Sequence, residues 1–169
     1  MNSLPDRFET RVFRAFDESF ASGSEWDELL AASPTNTVFL LSGWLRAWHE
    51  TLGQGEELIL PQVRLDGRLV AAGAFQARDG ILEFAGKGPS DYSDVLVQGD
   101  LDPPVARQLI ACVIRAAQRA APRLKWSRLA RIPLGESLTP SDEGPHRTEP
   151  LCAASPGTEL ATEALGARV

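Results

Sequence analysis

The chain has 169 residues, 43% apolar and 24% charged, with a net charge of −6. These values fit one globular domain, alone or with a tail, and exclude collagen, a fully disordered chain and a disulfide scaffold. The acid excess argues against a general nucleic-acid binder, and no apolar run approaches the roughly 18 residues that cross a bilayer. Met1–Thr10 contains Asp6, Arg7 and Glu9 and no signal-peptide core. Two cysteines, Cys112 and Cys152, fit a reduced compartment. The expectation is a cytoplasmic protein with no membrane span and no nucleic-acid partner.

Composition divides the chain near Pro133. Residues 135–169 contain four Pro, four Gly and no aromatic residue, and carry six acidic against two basic groups. So little large apolar surface cannot offset ordering entropy, which predicts a flexible tail. Residues 1–134 contain all four Trp, all seven Phe and the only Tyr, and therefore own the core.

In chain order, Glu9–Phe16 reads as a first strand or a short helix. Ser24 with Asp27 resembles a capping box that opens a helix through Ala32, with Trp26, Leu29 and Leu30 on one face. A loop from Ser33 to Asn36 follows. The next helix has Ser42 as its expected N-cap and Gly53 as its stop. Leu41, Trp44, Leu45, Trp48 and Leu52 form its apolar stripe, with Arg46, His49 and Glu50 away from it. Glu57–Leu65 is a strand in which Pro61 suggests an edge position. Asp66-Gly67 makes a hairpin to a return strand, Arg68–Ala77, whose Ala71-Ala72-Gly73-Ala74 run suggests close packing by a helix. Arg78-Asp79-Gly80 turns into a strand at Ile81–Gly86, and Ser93–Gln98 is a further strand of the same antiparallel meander. Asp102 is the expected cap of a long helix with Pro103 and Pro104 in its first turn. Val105, Leu109, Val113, Ala116 and Ala120 line its inner face, and Arg107, Arg115, Gln118 and Arg119 its outer one. Leu124–Arg131 reads as the closing strand. The class is α/β with α+β character: a mainly antiparallel central sheet, two helices before the meander and one long helix after it.

Three local segments carry a family resemblance. Val38-Phe39-Leu40-Leu41-Ser42-Gly43-Trp44-Leu45-Arg46-Ala47-Trp48 resembles the "F-x-S-x-x-W-L-x-x-W" opening of FemAB/CelD-like acyltransferases, a GNAT-superfamily group. Asp66-Gly67-Arg68-Leu69-Val70 resembles the hairpin that follows. Leu82-Glu83-Phe84-Ala85-Gly86, then Ser90-Asp91-Tyr92-Ser93-Asp94, resembles the family's "F-x-G…D-Y-x-D" segment. The match runs from about Trp26 to Leu138 and has the element order of a GNAT-like fold. The resemblance implies transfer of an acyl group from an acyl thioester, such as acetyl-CoA, or from acyl-tRNA. The acceptor would be an amine or hydroxyl of a small molecule or the cell envelope. It also implies a tandem architecture in which this chain is similar to the N-terminal half, partnered by a second GNAT half or another copy. The alternative is a non-catalytic binding module, a truncated or solitary half that does not bind CoA.

Acetyl-CoA binding needs backbone N–H groups and a helix N-terminus aimed at a pyrophosphate. The corresponding loop here, Gln98-Gly99-Asp100-Leu101-Asp102-Pro103-Pro104, loses two donors to its prolines and places two aspartates beside the phosphates. No cofactor is therefore expected on this chain alone. The candidate substrate-binding residues are Lys87, Asp91, Tyr92, Asp94, Trp44 and Trp48. Lys87 suits an anion, and Asp91 and Asp94 suit an amine; the competing reading is a strand-connecting loop with Asp91 capping a turn. The helical spacing of Trp44 and Trp48 fits core packing better than a substrate groove. His49 and the Arg107, Arg115 and Arg119 stripe read as solvated surface, and His146, Glu149 and Cys152 lack the second ligand pair of a zinc site. No catalytic residue and no metal site is assigned.

Overall fold

The computed structural model describes residues 8–16, 20, 24–121 and 123–129. The elements are β1 (Phe8–Phe13), α1 (Glu25–Ala32), a 3₁₀ turn (Val38–Leu40), α2 (Ser42–Thr51), β2 (Glu57–Leu65), β3 (Arg68–Ala72), β4 (Phe75–Arg78), β5 (Ile81–Phe84), β6 (Leu96–Val97), α3 (Pro103–Ala120) and β7 (Trp126–Arg128). The predicted tail, 135–169, lies outside the described residues. No described helix is long and apolar enough to cross a membrane.

One mixed sheet separates two apolar layers. Ile59, Val63, Phe75, Leu82 and Phe84 face Leu109, Ile110, Val113 and Ala117 of α3. Leu58, Leu60, Leu69 and Leu96 face Trp26, Leu29 and Leu30 of α1 and Leu45 and Trp48 of α2. Strand alternation sends successive side chains to opposite helical layers. The pairing is antiparallel throughout, except that β7 runs parallel to β5, with α3 as the connection.

Pro61 does not mark an edge. β2 is flanked by β1 on one side and by β3 and β4 on the other, with Pro61 paired to Val12. Its carbonyl accepts from the Gly73 N–H at 3.1 Å, but proline returns no N–H. The return strand is interrupted there and becomes β3 and β4. Gly73 also admits α3: a Cβ at that position would lie 2.9 Å from Val113 Cγ1 and 2.5 Å from the Phe75 ring. Both tight hairpins have the expected primed geometry, with Asp66 and Gly67 at φ 49° and 82° and Asp79 and Gly80 at 53° and 82°.

Other details depart from the sequence reading. β6 is two residues long and pairs with β3, not with β5. Ala85 donates to the Ala74 carbonyl and Gln98 to that of Val70, so β5 and β6 lie along one line of the sheet, interrupted by a loop at 86–95. The Ser24–Asp27 capping box does not form. Ser24 Oγ is buried without a hydrogen-bond partner among the described residues, and Asp27 accepts instead from the Ser42 N–H (2.9 Å) and hydroxyl (2.7 Å). Ser42 is thus the first residue of α2 and not its cap, which is Leu41. In the α2 stripe, Leu45 and Trp48 are buried, but Leu41 and Leu52 are exposed. Arg46, half-buried and away from that stripe, donates to the Phe20 carbonyl at 3.2 Å and lies over the Phe16 ring. Asp102 precedes α3 without a side-chain cap bond. The inner face of α3 is Leu109, Ile110, Cys112, Val113 and Ala117, rotated so that Val105, Ala116 and Ala120 lie half-buried at its rim. Cys112 is buried on that inner face at 2% exposure, while Cys152 lies outside the described residues.

Candidate functional site

The loop at 86–95 rises beside α2, and its glycines make that approach possible. Gly86 has φ 93°, and a Cβ there would lie 2.5 Å from Ser90 Oγ and 2.9 Å from the Trp44 ring. The loop closes on itself through the Ser90 N–H and Gly86 carbonyl at 3.2 Å. Trp48 Nε1 donates to the Lys87 carbonyl at 3.3 Å, and Trp44 stands edge-on to Phe39 with ring centroids 5.6 Å apart.

Three of the six sequence-predicted residues, Trp44, Trp48 and Lys87, therefore meet around Gly86. Trp48 is 5% exposed, a core position, while Trp44 is half-buried. Tyr92, at 53% exposure, and Asp91 stand in solvent on the far part of the loop. Asp94 is turned inward at 1% exposure. Its Oδ2 accepts from Thr35 Oγ1 at 2.8 Å and its Oδ1 from the Val95 N–H at 2.8 Å. That carboxylate ties the end of the loop to the 33–36 segment.

The sequence reading missed a polar row beneath this loop. Leu58, Gln76, Glu83 and Arg128 are successive register partners across β2, β4, β5 and β7 on the α2 side of the sheet. The Glu83 carboxylate meets Lys87 Nζ at 2.7 Å and Arg128 at 3.5 Å. Gln76 is 3% exposed, and its Oε1 has no partner among the described residues. Alternation in Leu82-Glu83-Phe84 already placed Glu83 opposite the α3 core, but nothing local paired it with β7. His49, expected on the surface, packs edge-on against Phe16 with its Nδ1 buried.

The start of α3 has fewer backbone donors than a helix N-terminus usually offers. Pro103 and Pro104 occupy its first two positions. Of the preceding amides, Gln98 N–H is bonded to the Val70 carbonyl and Gly99 N–H to that of Ala32, both at 2.9 Å. His146 and Glu149 lie outside the described residues.

Taken with its fold, this is a mixed α/β domain with helices on both faces of a mostly antiparallel sheet and a tryptophan-backed loop breaking one line of it. Comparison with family models, with curated proteins and with solved structures returns no match.

Proposed function

We propose that the chain is a GNAT-like domain of FemAB/CelD-like acyltransferase type that supplies the acceptor side of an acyl transfer and leaves the donor to a second half. The observation that carries this reading is the assembly of Trp44, Trp48 and Lys87 around Gly86, where the sheet line is interrupted. Acyl transfer proceeds largely by positioning and carbonyl polarisation, so it requires no strong nucleophile from this half. The tryptophans fix the loop, and Lys87, Asp91 and Tyr92 present its charged and aromatic groups to an amine or hydroxyl substrate. No step is assigned to acetyl-CoA on this chain, because Pro103 and Pro104 remove two N–H donors from the α3 start and those of Gln98 and Gly99 are taken by the Val70 and Ala32 carbonyls.

Calorimetric titration with acetyl-CoA tests this directly. No binding to the chain alone, and binding once a second GNAT half is added, supports the reading. A low-micromolar dissociation constant for the chain alone overturns it.

The non-catalytic alternative draws on β7. Its three residues are exposed, and Trp126 is 66% exposed at the end of the sheet. Pairing of two β7 edges would cover it. A dimer by sedimentation that Trp126→Ser dissolves favours this alternative.

A further inference from the structure

A cleft of about 630 Å³ lies at the opposite end of the sheet from the 86–95 loop, lined by Gly55, Glu57, Ala77, Arg78, Asp79, Gly80, Arg123 and Lys125. Its volume falls in the range that small-molecule sites occupy.

The charges in its walls divide unevenly. Glu57 is bound by Arg14, whose second nitrogen also donates to the Ala120 carbonyl at the end of α3. That contact neutralises both the carboxylate and the negative end of the helix. Arg78 is held by Glu56 at 3.2 Å and Asp79 at 3.8 Å. Arg123 and Lys125 have no ion-pair partner among the described residues. Two cations thus remain uncompensated in the cleft of an acidic chain.

The backbone holds them there at a cost. Arg123 has φ 49°, a left-handed conformation unfavourable for a bulky residue. Lys125 and Trp126 N–H groups both bond the Gly80 carbonyl, at 2.7 and 3.1 Å. Gly80 has no room for a side chain, since a Cβ would lie 2.6 Å from the Arg123 carbonyl. The 123–126 segment is therefore clamped onto the hairpin tip, with Arg123 and Lys125 on the same cleft as Arg78.

We infer that this cleft binds a phosphate-type oxyanion. The guanidinium of Arg123 supplies a planar two-pronged donor and Lys125 a point charge, the combination that phosphate oxygens accept. The inference does not rest on the acyl-transfer reading, and acetyl-CoA binding to the chain alone that Arg123→Gly abolishes would report this cleft and not a donor site at the start of α3.

Inorganic pyrophosphate is the probe, titrated calorimetrically at low ionic strength into the full chain. Saturable binding is expected, weakened about fivefold or more by Arg123→Gly and by Lys125→Gln, and weakened by added salt. Arg123→Gly removes the strain, so this variant should unfold at the same temperature as the parent or higher while binding less. Arg107→Gln, on the first turns of α3, should leave the affinity unchanged. The inference is overturned by absence of saturable binding, by unchanged affinity in Arg123→Gly, or by an equal loss in Arg107→Gln, which would mean diffuse charge attraction.

Discussion

Asp27→Ala isolates the contact that joins the two N-terminal helices. Asp27 sits in the first turn of α1, yet its carboxylate serves α2, accepting from the backbone N–H and the hydroxyl of Ser42. Ser42 has 0% exposure, so truncating Asp27 leaves two buried donors out of reach of water. A hydrogen bond to a charged group contributes about 1.5–3 kcal/mol, and a carboxylate at a helix N-terminus about 0.3–1 kcal/mol more. The two bonds share one acceptor group and do not add fully, so the expected loss is about 3 kcal/mol. For a chain of this length that lowers Tm by roughly 6–12 °C. Asp27→Asn retains an acceptor but loses the charge and should cost about 1–2 kcal/mol. Ser42→Ala removes the hydroxyl alone and should cost about 1 kcal/mol. Urea unfolding followed by tryptophan fluorescence measures all three, because Trp26, Trp44 and Trp48 lie on the helices concerned. A loss below about 0.5 kcal/mol for Asp27→Ala, the size of an ordinary surface change, would refute the shared-cap reasoning.

Trp48→Ala should cost about 3–5 kcal/mol in the same assay, because its ring is core and its N–H holds the Lys87 carbonyl; near-parent stability with lost ligand binding would make it a groove residue instead. Gly73→Ala should destabilise by about 1–3 kcal/mol, since the added methyl collides with Phe75 and Val113; a neutral result would show that α3 can withdraw from the sheet. The hydrogen bond from Arg64 holds the Glu25 carboxyl below its ordinary value against a smaller opposing push from burial. The stability this contributes is present above the unfolded pKa of about 4.3 and is lost as pH falls through the lower folded value. The Tm gap between the parent and Glu25→Gln should therefore shrink as pH drops below about 4, and a gap that widens with acid would contradict the pairing. Because Glu25 is about half exposed, the gap should stay under about 1 kcal/mol at neutral pH.

Local chemistry made several features readable in advance. Asp-Gly at 66–67 and 79–80 could place two positive φ values in succession at low cost, so both hairpins were legible from four residues. The run of small residues around Gly73 signalled the close approach of a helix, and the order of strands and helices followed from changes in apolar period. What failed depended on partners distant in sequence. Pro61 carries the mark of an edge strand, but its missing N–H is tolerated in the interior of the sheet because the return strand breaks opposite it. Asp27 has the spacing to cap its own helix, yet tertiary packing brings Ser42 within reach of the same carboxylate. A short 93–98 strand reads as the next turn of a meander, but β3 offered it the open edge. The candidate loop shows the same division. The charged and aromatic residues Lys87, Asp91, Tyr92 and Asp94 marked the loop as a candidate, whereas the tryptophans that back it, the inward turn of Asp94 and the Gln76–Glu83–Arg128 row are products of register and helix placement. Backbone preferences are set by a residue and its immediate neighbours, but hydrogen-bond and ion-pair partners are chosen only once strands align and helices pack, and that choice assembled both the loop surface and the basic cleft.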